Sequence, residues 1–130
     1  MNVKIDTKEK FTVITPKETD ISANMTDSLA ELLREYLSKP TPHVVLNMNH
    51  VKSISGESAD MIAALQQQFY EKNVSFIVCE LQNNIETFLK ERDLFDIMNI
   101  TPTESEAWDI LQMEEIEREL MSDFDKDTEV

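Results

Sequence analysis

Apolar residues fall into two kinds of stretch along the chain: short β-prone runs, and longer runs that carry a helical stripe. "NVKID" and "FTVIT" open the chain as two short runs, and the polar "TKEK" between them suits a hairpin. Pro16 closes the second run, because it has no N–H to give to a ladder. The clearest helix is "NMTDSLAELLREYLSK". Met25, Leu29, Leu32, Leu33, Tyr36 and Leu37 recur on one face, and Asn24 or Thr26 is placed to cap the start. Lys39 and Thr41 each precede a proline, which moves them out of the α region and stops the helix. Val44, Val45 and Leu46 are contiguous, as in a strand covered on both faces.

Past "VKSISGE" comes a second helical pattern, in which Ile62, Leu65 and Phe69 form the stripe. Ala59, Ala63 and Ala64 beside it are small enough to let the helix approach a sheet. "VSFIVCEL" reads as another buried strand, "NNIETFLKERDLFDIMN" as a helix with Ile85, Phe88 and Leu89 inward, and "ITPT" as a short last strand or link. A long helix follows through Phe124, with Thr103 as cap and Glu106 three residues on, the capping-box spacing. Ile110, Met113, Ile116 or Glu117, Leu120 and Phe124 continue its stripe. Residues 125–130 are expected to be an acidic disordered tail.

The order β-β-α-β-α-β-α-β-α, with no internal repeat, predicts one α/β domain. Its sheet is mixed, with four to five strands that are largely parallel in the middle, and about four helices pack on it. Charge adds a restriction on partners. The net charge is -14, and the last 27 residues carry 11 acids against 2 bases. This balance argues against nucleic acid and anionic membrane as direct partners. No apolar run approaches the ~20 residues of a membrane helix. "MNVKIDTKEK" has no apolar core of a signal peptide, and the single cysteine, Cys79, has no disulfide partner. The expectation is a cytoplasmic protein with no direct membrane insertion.

Catalytic constellations are missing from the sequence. His43 and His50 flank one strand, roughly 23 Å apart at strand rise, too far to share a metal. One glycine, Gly56, rules out the glycine-rich phosphate loops. Cys79 lies inside a buried-strand pattern and reads as a packed thiol. The expectation is a non-enzyme with no metal and no cofactor.

The segment "HVVLNMNHVKSISGESADMIAALQQQF" resembles the centre of STAS domains, the fold of bacterial anti-sigma-factor antagonists. In that pattern a strand of the type hVVLNL leads through V-x-x-[IFM] into D-S-[ST]-G-L-G, where a helix starts. "VSFIVCEL", "IETFLKERDLFDIMNI" and "TESEAWDIL" extend the similarity over roughly residues 3–112. The resemblance implies a curved sheet with helices mainly on one side. It also implies a non-catalytic role in transcription regulation, in which the serine or threonine directly before the first glycine of that motif is phosphorylated by a partner kinase that is also the anti-sigma factor. It further divides the chain into a STAS-like domain over 1–112 and an extension of the last helix over 113–124. The apolar residues of that extension are expected first on the chain's own sheet, and otherwise on a partner or on a second copy in a homodimer.

The chain departs from the pattern at the switch. Aligned without gaps on Val51 and Ile54, Ser55 takes the aspartate position, Gly56 the first serine, Glu57 the phosphoacceptor and Ser58 the glycine. "TPKETD" replaces the glycine after the second strand, and Arg92-Asp93 stands where "TG" is common. Three readings stay open. The stretch is a helix N-terminus only, with Ser55 as N-cap, Glu57 and Asp60 favouring the helix dipole and Gly56 making a tight turn. Alternatively, the phosphorylation site has moved to Ser58 or Ser55. In the third reading Glu57 supplies a fixed negative charge and the domain binds without being switched. The candidate partner-binding residues are Ser55, Gly56, Glu57, Ser58, Asp60 and Met61. The implied partner is an anti-sigma kinase. The alternatives are the ATPase subunit of a lipid-type ABC transporter, with this chain as accessory subunit, or a nucleotide or other small ligand.

Overall fold

The computed structural model describes residues 1–128, with side chains described through residue 122. In chain order the elements are β1 (Val3–Thr7), β2 (Thr12–Pro16), β3 (Asp20–Ile21), α1 (Thr26–Glu35), β4 (Val44–Asn47), β5 (Ser53–Ile54), α2 (Gly56–Glu71), β6 (Phe76–Cys79), α3 (Asn83–Glu91), β7 (Ile100–Thr101) and α4 (Glu104–Thr128). The first two strands make the expected hairpin, with Val3 opposite Pro16 and Thr7 opposite Thr12. From β2 onward every pairing in the main sheet is parallel, in the order β1-β2-β4-β6-β7. β3 and β5 pair separately as a two-residue parallel ladder that the sequence pattern does not announce.

The contiguous apolar strands are covered on both faces. Val44, Leu46, Phe76 and Val78 point to a core shared with Leu29 and Leu33 of α1, Ile62, Leu65 and Phe69 of α2, and Ile85 and Leu89 of α3. Val45, Ile77 and Cys79 point the other way, onto Ala107 and Leu111 of α4. Three helices therefore lie on one side and one on the other. Phe11 and Trp108 stack at 4.9 Å on the α4 side. Burial holds the Cys79 thiol in its neutral form, with the Glu80 and Glu104 carboxylates adding to the shift, and pushes its pKa up to about 12.

Helix ends are closed without glycine. After α2, Val74 N–H donates to the Phe69 carbonyl and Asn73 N–H to that of Tyr70; after α3, Leu94 donates to Leu89 and Asp93 to Lys90. These are Schellman closures, with Asn73 and Asp93 in the left-handed region at φ 61° and 59°. The start of α1 differs from expectation. A short 3-10 turn (Ala23–Met25) precedes it, and no side chain caps either element. Neither Asn24 nor Thr26 serves as the cap, because the Thr26 hydroxyl is engaged by α2 instead.

One polar residue in the inward stripe of α2 ties down the sheet edge. The Gln66 amide donates to the carbonyls of Phe76 and Asn99 and accepts from Asn99 N–H, at 2.9–3.0 Å. Glu114 of α4 then accepts from Ser75 Oγ (2.7 Å) and Asn99 Nδ2 (3.0 Å). Beyond that point α4 leaves the sheet. At 25 residues it is about 37 Å long, whereas the four-residue strands beneath it span about 13 Å. The expected packing of the extension on the chain's own sheet therefore does not occur. Ile116, Leu120 and Met121 are 56%, 63% and 62% exposed, while Phe124 lies outside the described side chains. The expected disordered tail is not what residues 125–128 form. With no glycine or proline after Glu104, α4 continues through 125–128, and 129–130 lie outside the described residues.

Candidate partner-binding site

The turn between β5 and α2 is held by a cluster of hydroxyls. Ser55 is the N-cap of α2, with extended backbone (φ -70°, ψ 155°) and its Oγ accepting from Ser58 N–H at 3.1 Å. The cap satisfies one of the donors that a helix start leaves unpaired. Ser55 Oγ also donates to Ser58 Oγ at 2.9 Å. Ser58 is fully buried, and its Oγ further meets Thr26 Oγ1 at 2.7 Å and the Ser22 carbonyl at 3.4 Å. One small hydroxyl thus joins the starts of α1 and α2 through groups more than 30 residues apart. In this conformation the Ser58 hydroxyl is closed off from solvent.

Gly56 is the first residue of α2 and has no positive φ, so a tight turn is not what requires it. Space requires it. A Cβ at this position would lie 2.8 Å from Arg92 Nη1 and 2.9 Å from Arg92 Cζ. The guanidinium lies across the helix start, 5.6 Å from the Phe88 ring centroid, and Nη2 donates to Asp60 Oδ2 at 2.7 Å. Asp60 therefore does two things. It sits near the positive end of the helix, and it neutralises the cation parked there. The pair is exposed and contributes little to stability, about 0–1 kcal/mol. Glu57 in the same turn is exposed to solvent, and Met61 is half-buried, packed against the main core.

The six predicted residues do converge on one helix start, but they are not one surface. Glu57 and Asp60 face outward, Ser55 and Gly56 form the rim, and Ser58 and Met61 face inward. Sequence reasoning did not identify Arg92 or Thr26 as parts of this site. The signal for Arg92 was its place in the Arg92-Asp93 pair that replaces a common "TG". Thr26 gave none beyond its hydroxyl.

The family model of the STAS domain matches residues 2–107. The chain belongs to the STAS domain family. Solved structures share the fold at low identity. A candidate anti-sigma factor antagonist from Thermotoga maritima superposes with a TM-score of 0.76 at 18% identity, covering 85% of this chain and 94% of that one. An anti-sigma factor antagonist from Mycobacterium paratuberculosis gives 0.74 at 13%, covering 85% and 93%. The Bacillus antagonist SpoIIAA in its unphosphorylated form gives 0.68 at 10%, covering 85% and 96%. No curated protein matches the chain in sequence.

Elsewhere the STAS domain offers less. A cavity of about 470 Å³ between the β1–β2 turn and the start of α4 is lined by Lys8, Glu9, Lys10, Glu104 and Trp108, with acids and bases interleaved. Among the described residues, no three His, Cys, Asp or Glu side chains are grouped to hold a metal, and no helix is long and apolar enough to cross a membrane.

Proposed function

We propose that this STAS domain is a non-catalytic regulator that docks an anti-sigma-type serine kinase on the β5–α2 turn, and that it does so without the usual phospho-switch. The observation that carries the reading is the contrast within one turn of helix. Glu57 is exposed, whereas Ser58 is buried among three oxygens and Ser55 is occupied as N-cap. On the gap-free alignment Glu57 stands at the acceptor position. A kinase that docks there meets a carboxylate and has no free hydroxyl to modify. The carboxylate carries one charge and fewer acceptor oxygens than a phosphate, and it sits where the helix dipole favours an anion.

The test is isolation of the chain with its bound partner from its source cell, followed by mass spectrometry of both. The expected result is a serine kinase of the anti-sigma type and no phosphate on Ser55 or Ser58. Phosphate on either serine sinks the loss of the switch. Recovery of an ABC transporter ATPase in place of a kinase transfers the domain to the accessory-subunit role. Glu57→Lys is expected to weaken the recovered complex at least about tenfold if the turn is the docking surface.

A further inference from the structure

We propose that the outward face of α4 around Met113, Ile116 and Leu120 is a docking strip for a basic amphipathic helix of a protein partner. This surface lies on the opposite side of the sheet from α2, so the proposal stands independently of the one above. It begins with helix geometry. Leu111 is fully buried against the sheet. At 3.6 residues per turn, Met113, Ile116 and Leu120 all point within about 40° of the direction opposite Leu111. Their exposures, 55%, 56% and 63%, agree with that direction. Three large apolar side chains in one row, at spacings of three and four, are the face that a partner helix reads. Met121 turns toward a side groove of about 740 Å³, whose other wall includes Tyr70 of α2 and Val74 just after it. Tyr70 is 76% exposed, but Glu114, Glu117 and Arg118 also line this groove, so the apolar row itself ends at Leu120.

The charges decide what can lie on this strip. Glu106 and Asp109 share the outward direction, and Glu117 and Glu119 flank the row on either side; all four are exposed. Arg118 is the single base between residues 104 and 122, and it points to the sheet side, half-buried, with one guanidinium nitrogen enclosed and without a hydrogen-bond partner. The outward face of the helix, over its described side chains, thus carries apolar and acidic residues with Ser105 and Gln112 at its margin, and no base. A second copy laid on it, parallel or antiparallel, sets carboxylates against carboxylates. An anionic bilayer meets the same repulsion. A helix with an apolar stripe bordered by lysines or arginines covers Met113, Ile116 and Leu120 and pairs with the flanking acids at once. The strip is short, so the complex is a weak one whose affinity falls with salt.

The experiment uses the full chain and two synthetic helical peptides with identical leucine stripes. One carries lysine and the other glutamate at every polar position. Amide shifts are followed by NMR at low and high salt, and the oligomeric state by sedimentation. The lysine peptide is expected to shift amides of residues 109–122, with affinity falling at least threefold between 50 and 300 mM salt, while the glutamate peptide leaves the spectrum unchanged. The double variant Ile116→Asp/Leu120→Asp is expected to keep its melting temperature and to lose at least tenfold in affinity for the lysine peptide. Equal binding by the double variant, or shifts confined to other elements, overturns the proposal. Self-association of the wild-type chain that the double variant abolishes assigns the strip to a second copy and overturns it too, as does partitioning onto anionic vesicles.

Discussion

The first turn of α2 and the outer strip of α4 are built in opposite ways. The α2 turn is small, polar and fully tied. Ser55, Ser58 and Thr26 exchange hydrogen bonds, and Arg92 lies over a glycine that leaves it room. The α4 strip is large, apolar and more than half exposed. In the first, the cost of leaving a buried polar group unpaired holds the geometry. In the second, more than half of each side chain already faces solvent, so changing it costs the fold little. Damage at the two places therefore differs in kind, with stability at stake in the α2 turn and hardly at all on the strip.

The sharpest way to break this contrast is Ser58→Asp. It places a carboxylate in a fully buried site among three oxygens, and a loss of about 3–5 kcal/mol is expected in urea denaturation. A change below 1 kcal/mol would mean that the turn opens freely, and a phosphorylated Ser58 would become sterically admissible. Next is a pair on one helix. Leu111→Ala is expected to cost about 3 kcal/mol, because it leaves a cavity against the sheet. Leu120→Ala is expected to stay within about 0.5 kcal/mol. Equal losses at the two positions would place the second half of α4 in the core.

Smaller effects sharpen the picture. Gly56→Ala must displace the Arg92 guanidinium, which is the far end of a flexible side chain, and so is expected to cost less than about 1 kcal/mol. The diagnostic is a crystal structure or the Arg92 side-chain NMR signal, which should move while Ser58 stays in place. A loss of several kcal/mol would instead mark Gly56 as a backbone requirement. The smallest expected effect is a pH dependence at His43. Burial, and secondarily the nearby Arg118, hold its pKa below the ordinary histidine value, although Glu115 and Glu114 oppose them. Its Nδ1 accepts from Ser75 N–H, which requires the neutral ring. The unfolded imidazole then takes up a proton first, near pH 6.5. The stability held by neutral His43 is present above that value and is lost as pH falls through the lower folded pKa. Denaturation midpoints between pH 7.5 and 5 should fall more steeply for the wild type than for His43→Asn. Parallel curves would remove His43 from the account.

Local periodicity carried the fold. The contiguous Val44–Leu46 run marked a strand covered on both faces, and the stripe of α1 and the 3-10 turn after it marked their buried side as Leu29, Leu33 and Tyr36. The long-range polar contacts were not legible. Nothing near Thr26 says that its partner is Ser58, and β3 and β5 are too short to show a pattern. Gln66 was readable in principle, since a polar residue in an inward stripe implies a buried partner. The overshoot of α4 was also readable, because it follows from comparing helix length with strand length. For the candidate site, the sequence located the helix start and the N-cap. It misread the reason for the glycine, since a clearance of one side chain over another leaves no local signature.

That misreading bears on the unfolded chain as well. The backbone sites where glycine is most at ease are here filled by Asn73, Glu80 and Asp93, all near φ 60°, while the one glycine serves a role in which its flexibility goes unused. Each of the three holds some strain in the folded state. Each also removes conformations that a glycine would have given the denatured ensemble, an effect of about 0.4–1 kcal/mol per site in the opposite direction. The chain thus carries a little tension in its native turns in exchange for a less disordered starting point, and the net effect of glycine at Asp93 or Asn73 is expected to be close to zero.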